Sequence, residues 1–92
     1  MIYWKIINPF HPGITLKEKL NELGIKPKQF ARQIGIPKKQ LLKIIVGKKS
    51  IEDIAFLLDE YLKIPTHWWI NSQKRFDNYQ LIQYINKLRK NV

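Results

Sequence analysis

Cysteine is absent from this chain of 92 residues, and only two histidines are present, His11 and His67. The lack of cysteine excludes a disulfide framework and a thiolate metal site, and it fits a reducing cytosol. The histidines are far apart in sequence and neither has a second histidine at ligand spacing, so no zinc site is expected. We therefore expect no metal, no cofactor and no redox chemistry.

Long apolar runs are also missing. No stretch reaches the roughly 20 apolar residues that span a bilayer. The apolar residues Ile2, Trp4 and Ile6 near the start are accompanied only by Lys5, which differs from the basic region and long apolar core of a signal peptide. We expect a cytoplasmic protein with no membrane role.

Acidic residues are few. The chain has seven of them and 17 basic residues, which gives a formal net charge of +10. A surface of this charge attracts phosphate and so favours a polyanionic partner. The acids are readable as helix caps or exposed positions, and no acid and base pair, nucleophile elbow or phosphate-binding glycine loop occurs. The chain is therefore not expected to be an enzyme.

Acids are missing altogether from residues 26–49, which carry eight basic residues. Pro27 fits the first position of a short helix, Gly35 fits a tight turn, and a second helix follows Pro37 and stops at Gly47. Two short helices around a tight turn are the layout of a helix-turn-helix, whose second helix enters the major groove of DNA.

The rest of the pattern predicts an all-α fold. Thr15 and Glu18 match a capping box, so the first helix is expected at about residues 15–23. Ser50 and Thr66 are expected to cap the fourth and fifth helices, with a last amphipathic segment after them. The expected inward residues recur at helical spacing: Leu16, Leu20, Leu23, Phe30, Ala31, Ile34, Leu41, Ile44, Ile45, Ile51, Ile54, Ala55, Leu58 and Leu62.

Two adjacent tryptophans, Trp68 and Trp69, point about 100° apart on a helix, so only one can face the core. We expect Trp69 to be buried and Trp68 to be available for a partner. The domain prediction is a short N-terminal arm at residues 1–10 and one compact unit of five or six short helices at residues 11–92.

Four sequence motifs follow one another along the chain. His11-Pro12-Gly13 precedes the first helix, F-A-R-Q-I-G-I at residues 30–36 contains the turn, and Gly47-Lys48-Lys49 follows the second helix of the motif. The fourth is W-I-N-S-Q-K-R-F-D at residues 69–77. In these motifs the chain resembles the HigA (VapI-like) antitoxins, a branch of the lambda-repressor-like (XRE-type) helix-turn-helix regulators.

This resemblance implies a homodimeric antitoxin that neutralises a RelE-like, mRNA-cleaving toxin and represses its own operon by binding double-stranded operator DNA. The DNA-binding positions carried over from the family are Lys38, Lys39, Gln40 and Lys43 for bases and Gln29, Lys48 and Lys49 for phosphates. A dimer or toxin interface is expected at Trp68, Ile70, Phe76 and Trp4.

The chain also departs from the family pattern. Lys26 and Pro37 stand where a capping residue is usual, and Leu42 and Val46 stand beside Lys39 and Lys43 at positions that are often polar. The two apolar residues fit either thymine methyl groups or a protein partner. The alternatives are therefore a standalone helix-turn-helix regulator and a protein-interaction module with weak DNA binding.

Overall fold

The computed structural model describes residues 10–90, which form five α-helices and no strand. The helices are α1 (Pro12–Leu23), α2 (Pro27–Ile34), α3 (Lys38–Ile45), α4 (Ala55–Leu62) and α5 (Thr66–Lys90), and a 3₁₀ turn at Glu52–Ile54 leads into α4. The predicted all-α class is confirmed. The predicted arm, with Trp4, lies outside the described residues except for Phe10.

A single apolar core lies between the five helices. Nearly every residue predicted to face inward is buried, Trp69 is fully buried, and Trp68 is 38% exposed. Two predictions were wrong in degree: Leu23 is exposed, and Ile45 is only partly buried against the core. The core residues from all five helices and the 3₁₀ turn therefore hold α2 and α3 against α1, α4 and α5.

The turn between α2 and α3 forms as its sequence predicts. Pro27 begins α2, where its missing N–H leaves no intrahelical bond unmade. Gly35 adopts φ 77°, a left-handed conformation that other residues adopt only with strain, and its N–H donates to the carbonyl of Ala31. Pro37 stands at the extended position before α3. Three backbone restraints thus place the two short helices.

The start of α1 corrects the predicted capping box. The helix begins at Pro12, three residues before Thr15, and the Nδ1 atom of His11 accepts a 2.9 Å hydrogen bond from the N–H of Gly13. Pro12 is suited to the first helical position, and the imidazole takes the capping role that a serine or threonine usually has. Thr15 is therefore an interior helix residue.

The last helix also differs from prediction, because the fifth helix and the amphipathic segment are one continuous helix. Thr66 does not cap it. Instead, Oδ2 of Asp59 on α4 accepts 3.0 Å bonds from the N–H and the hydroxyl of Thr66. These bonds lower the pKa of Asp59, and the bond from the backbone N–H has the larger effect. A carboxylate at a helix start also stabilises the positive end of the helix dipole.

The far half of α5 extends beyond the packed helices. The principal extents are 49 × 27 × 20 Å, and the radius of gyration is 15.2 Å, against about 12 Å for a compact domain of this length. Residues 80–90 are all exposed. The fold therefore consists of a small packed body and one projecting helix.

Gly13 lets α1 and α3 approach each other closely. A Cβ atom built at this position would overlap the carbonyl oxygen of Ile44 and lie 2.9 Å from that of Ile45. Both carbonyls belong to the last turn of α3. Glycine is thus required here for space, whereas Gly24 has open space and a φ of 70°.

We predict that Gly13→Ala lowers the free energy of unfolding by about 3 kcal/mol or more, because the added methyl group meets backbone atoms that cannot move away. Gly24→Ala is the matched control, for which only the left-handed conformation is penalised, at about 1–2 kcal/mol. Urea unfolding measures both. An equal or smaller loss for Gly13→Ala would contradict the close approach.

Candidate nucleic-acid interface

The outer face of α3 carries two lysines flanked by apolar side chains. Leu41 and Ile44 are fully buried, so the opposite face of the helix, with Lys39, Lys43 and Val46, points outward. Leu42 is 39% exposed and Val46 is 65% exposed. The face therefore offers two long cations and two aliphatic side chains along about two turns of helix.

A second basic surface lies on α2. Lys26, Lys28, Gln29 and Arg32 line a shallow depression of about 250 Å³. Only Gln29 was among the predicted phosphate contacts. The three cations around it belong to the acid-free stretch at residues 26–49. That stretch is the sequence signal that could have pointed to them.

The third basic surface is the turn after α3. Gly47 adopts φ 84°, and its N–H and that of Lys48 donate to the carbonyls of Ile44 and Lys43. These two bonds make a Schellman motif, which ends the helix sharply. Lys48 and Lys49 follow directly and are exposed.

Within residues 10–90 the cations of these three surfaces form no ion pair. Among residues 10–90 the ion pair formed is Lys19 with Glu22, at 3.0 Å on α1. The predicted DNA-binding residues therefore lie on α2, on α3 and in the turn after α3, and all are exposed except Gln40, which is partly buried. Their contact with DNA remains a prediction.

His11 joins α1 to the end of α3 and to α5. A Cβ atom on Gly47 would lie 3.6 Å from Cγ of His11, so the ring lies against the turn that ends α3. On its other side the ring packs edge-on against Phe76 of α5, with centroids 5.0 Å apart. His11 is 6% exposed. We call this contact of three elements the His11 junction.

Gln73 holds the chain after α3 to α5. It is 2% exposed, and its Oε1 accepts a 2.9 Å bond from the N–H of Ile51. Its Nε2 donates a 3.0 Å bond to Oδ1 of Asp77, one turn further along α5. Trp69, one turn earlier, donates its indole N–H to the carbonyl of Ile64 at 3.1 Å. The tryptophan and glutamine of the fourth motif therefore fasten α5 to the rest of the domain, and the aspartate bonds to the glutamine within α5.

Burial favours the neutral form of the His11 imidazole. Its pKa is lowered chiefly because desolvation disfavours the charged ring, while Asp77 and the backbone of Lys49 act in the opposite direction. The neutral ring can accept the Gly13 hydrogen bond at Nδ1, which an imidazolium cannot do. The charge state of His11 is thus linked to the start of α1.

The predicted interface residues on α5 are placed differently from one another. Trp68 is partly exposed and packs at right angles to Trp69, with ring centroids 5.1 Å apart. Ile70 packs partly against the core, and Phe76 is covered in part by His11. Their role in an interface remains a prediction, as does that of Trp4, which lies outside the described residues.

Within residues 10–90 no helix is both long and apolar enough to cross a membrane. The same part of the chain holds no group of three or more histidine, aspartate or glutamate side chains placed to bind a metal ion. Among the described residues, the three basic surfaces are therefore the candidate functional site.

Two solved structures that this chain resembles are those of antidote proteins. A candidate antidote protein of a plasmid maintenance system from Nostoc punctiforme has a TM-score of 0.87 and 28% identity, over 92% of this chain and 94% of that one. An addiction module antidote protein of the HigA family from Coxiella burnetii is 30% identical, with a TM-score of 0.78, over 94% of this chain and 97% of its own. This chain belongs to the HigA family.

Two further relatives agree with the HigA assignment. PA4674 from Pseudomonas aeruginosa, solved in complex with its operator DNA, has a TM-score of 0.74 and 27% identity, over 82% of this chain and 83% of that one. Virulence-associated protein A' from Dichelobacter nodosus is 30% identical over 76 residues, which are 80% of this chain. The chain spans 66% of that relative's length, and no protein-family model matches it.

We predict that acid destabilises this HigA-family fold through His11. Because the folded-state pKa is lowered, the neutral ring contributes stability that is complete above about pH 6.5, the usual value for histidine, and is lost as the pH falls below it. His11→Asn keeps a helix-capping side chain that does not titrate. Urea unfolding between about pH 7.5 and 5.5 should show a larger loss in the parent chain than in His11→Asn. Equal losses would contradict the assignment.

Proposed function

We propose that the chain is the antitoxin of a type II toxin–antitoxin module, that it represses its own operon by binding operator DNA, and that it neutralises a RelE-like toxin. The observation that carries the proposal is an unpaired, acid-free basic surface on a helix-turn-helix of the HigA family. The solved complex of PA4674 with its operator supports the DNA-binding part.

The geometry suggests which basic surface contacts the bases of DNA and which contact its phosphates. With α3 in the major groove, Lys39 and Lys43 face base edges, where lysine donates to guanine O6 and N7. Leu42 and Val46 on the same face suit thymine methyl groups. Lys38 and Gln40 at the start of α3 complete the base-reading set.

The other cations suit the phosphate backbone on either side of the groove. The α2 depression, with Gln29, and the turn with Lys48 and Lys49 flank α3 in the sequence. Phosphate contacts of this kind fix the position of a protein on DNA and release counterions, so they strengthen binding without selecting a sequence. A homodimer would place two α3 helices about 34–36 Å apart on an inverted repeat.

We predict that Lys39→Ala with Lys43→Ala removes the preference for operator DNA while leaving the fold intact. Each base contact accounts for about 1–3 kcal/mol, or roughly 5- to 150-fold in discrimination. Lys87→Ala with Lys90→Ala changes the net charge equally on the last turn of α5 and is the matched control. Titration of the upstream DNA of its own gene against scrambled DNA measures the preference.

If both pairs of substitutions weakened binding to operator and scrambled DNA by the same factor, α3 would not be the reading helix. The parent chain showing no preference at moderate salt, while binding a toxin tightly, would favour the protein-interaction module instead. The 65% exposure of Val46 is the observation on which that alternative rests.

The toxin part of the proposal is tested by purifying the tagged chain from its native cells after nuclease treatment. Mass spectrometry should identify a small basic ribonuclease in an amount equal to the chain. Recovery of the chain alone, with operator binding retained, would make it a standalone regulator.

A further inference from the structure

The segment that follows α3, residues 47–51, is held at both of its ends by side chains from other elements. At its start, a Cβ atom on Gly47 would lie 3.6 Å from Cγ of His11, so the imidazole covers this end. At its finish, the N–H of Ile51 donates a 2.9 Å bond to Oε1 of Gln73. The two exposed lysines of the third basic surface lie between these attachments. Their position therefore depends on both.

Asp77 of α5 connects the two attachments. Its Oδ1 accepts a 3.0 Å bond from Nε2 of Gln73, which orients the same amide group that holds Ile51. Its charge also acts on the ring of His11, whose pKa it raises against the larger, opposite effect of burial. One carboxylate thus acts on the side chains at both ends of the 47–51 segment.

The polar groups around the ring of His11 come from three elements. From α1, the N–H of Gly13 donates a 2.9 Å bond to Nδ1. From the 47–51 segment, the backbone of Lys49 acts on the ring, and from α5 so does the carboxylate of Asp77. Phe76 adds an uncharged edge-on contact. Within residues 10–90, Asp77 is therefore the charged side chain that influences the ring.

A proton on His11 reverses one of these contacts. The neutral ring accepts a bond at Nδ1, whereas an imidazolium has two donors and no acceptor. The N–H of Gly13 would then face a second N–H, and the new donor would need an acceptor. Attraction between the imidazolium and Asp77 moves the ring away from Gly47 or the carboxylate away from Gln73. Either movement loosens one end of the 47–51 segment.

We propose that His11, Asp77 and Gln73 form a proton-sensitive switch, in which protonation of His11 loosens the 47–51 segment and so weakens the phosphate contacts of Lys48 and Lys49. This deepens the proposed function, because it regulates DNA binding, and it rests on that function only for the phosphate contacts. The sign follows from burial. Since the pKa of His11 is lowered, the segment is held above about pH 6.5 and is released as the pH falls below that value.

The first test is the salt dependence of binding to the upstream DNA of the chain's own gene. Each phosphate contact contributes about 0.9 to the slope of log affinity against log salt. Loss of the Lys48 and Lys49 contacts should lower the slope by about 2 between about pH 7.5 and 5.5, and the affinity roughly 30-fold at about 0.15 M salt. Circular dichroism at both pH values checks that the helices are retained.

The two histidines provide matched variants for this test. His11→Asn keeps a helix-capping side chain that does not titrate, so its slope should be the same at both pH values. His67→Asn removes the other histidine and should lose slope in acid as the parent does. A parent slope that does not change with pH overturns the proposal, and so does an equal change in His11→Asn.

The second test uses the free chain and needs no DNA. In an NMR titration, the N–H signals of Lys48 and Ile51 should move together with the ring signals of His11, with a midpoint below about pH 6.5. Asp77→Asn keeps an acceptor for Gln73 but removes the charge that favours the imidazolium, so the midpoint should move to lower pH. Constant N–H signals during the titration of His11, or an unchanged midpoint in Asp77→Asn, overturn the proposal.

The two proposals fail separately. A chain that shows no preference for its upstream DNA, but whose N–H signals at residues 48 and 51 follow His11, would contradict the proposed function and leave the switch standing. A chain that prefers its upstream DNA with the same salt slope at both pH values would support the proposed function and show that the switch is wrong.

Discussion

The structure depends on the contact between the start of α1 and the end of α3 at the His11 junction. The backbones of the two helices lie so close together that only glycine, which has no Cβ atom, fits at position 13. His11 caps α1 and fills the gap against the turn at Gly47. One short segment thus satisfies a buried N–H at the start of α1 and packs against the turn that ends the proposed DNA-reading helix.

Helix α5 supports the His11 junction from the side opposite the turn at Gly47. Phe76 packs on His11, and Gln73 accepts the N–H of Ile51, so the chain leaving α3 is fastened at two points. A buried backbone N–H without a partner would cost about 1–3 kcal/mol. The same helix then continues outward beyond the packed body. One continuous helix therefore braces the base of the proposed DNA-reading unit and forms the projecting part of the domain.

Local chemistry explains which parts of the fold the sequence predicts. Pro27, Gly35 and Pro37 act on their own backbone, so the helix-turn-helix needs no distant contact to be recognised. The apolar spacing likewise identified Trp69 as the buried one of two tryptophans. The three basic surfaces follow from an acid-free stretch with eight basic residues, although the predicted phosphate set did not include the lysines and arginine around Gln29.

The remaining features depend on partners that are distant in the sequence. Thr15 and Glu18 fit a capping box, but Pro12 and the buried His11 start the helix earlier because the junction holds the imidazole in place. Asp59 caps α5 from another helix, and Gln73 is buried because the N–H of Ile51 needs an acceptor. Periodicity alone also divided α5 in two, because its apolar side changes direction where the helix leaves the body.

Amide hydrogen exchange measures the His11 junction most directly. The N–H groups of Gly13 and Ile51 are held by the side chains of His11 and Gln73. If the junction fixes α3, both amides exchange only when the whole domain unfolds, with a free energy equal to that of global unfolding. Exchange at the lower free energy expected of the last turn of α5 would show that the junction opens locally, and it would contradict the account.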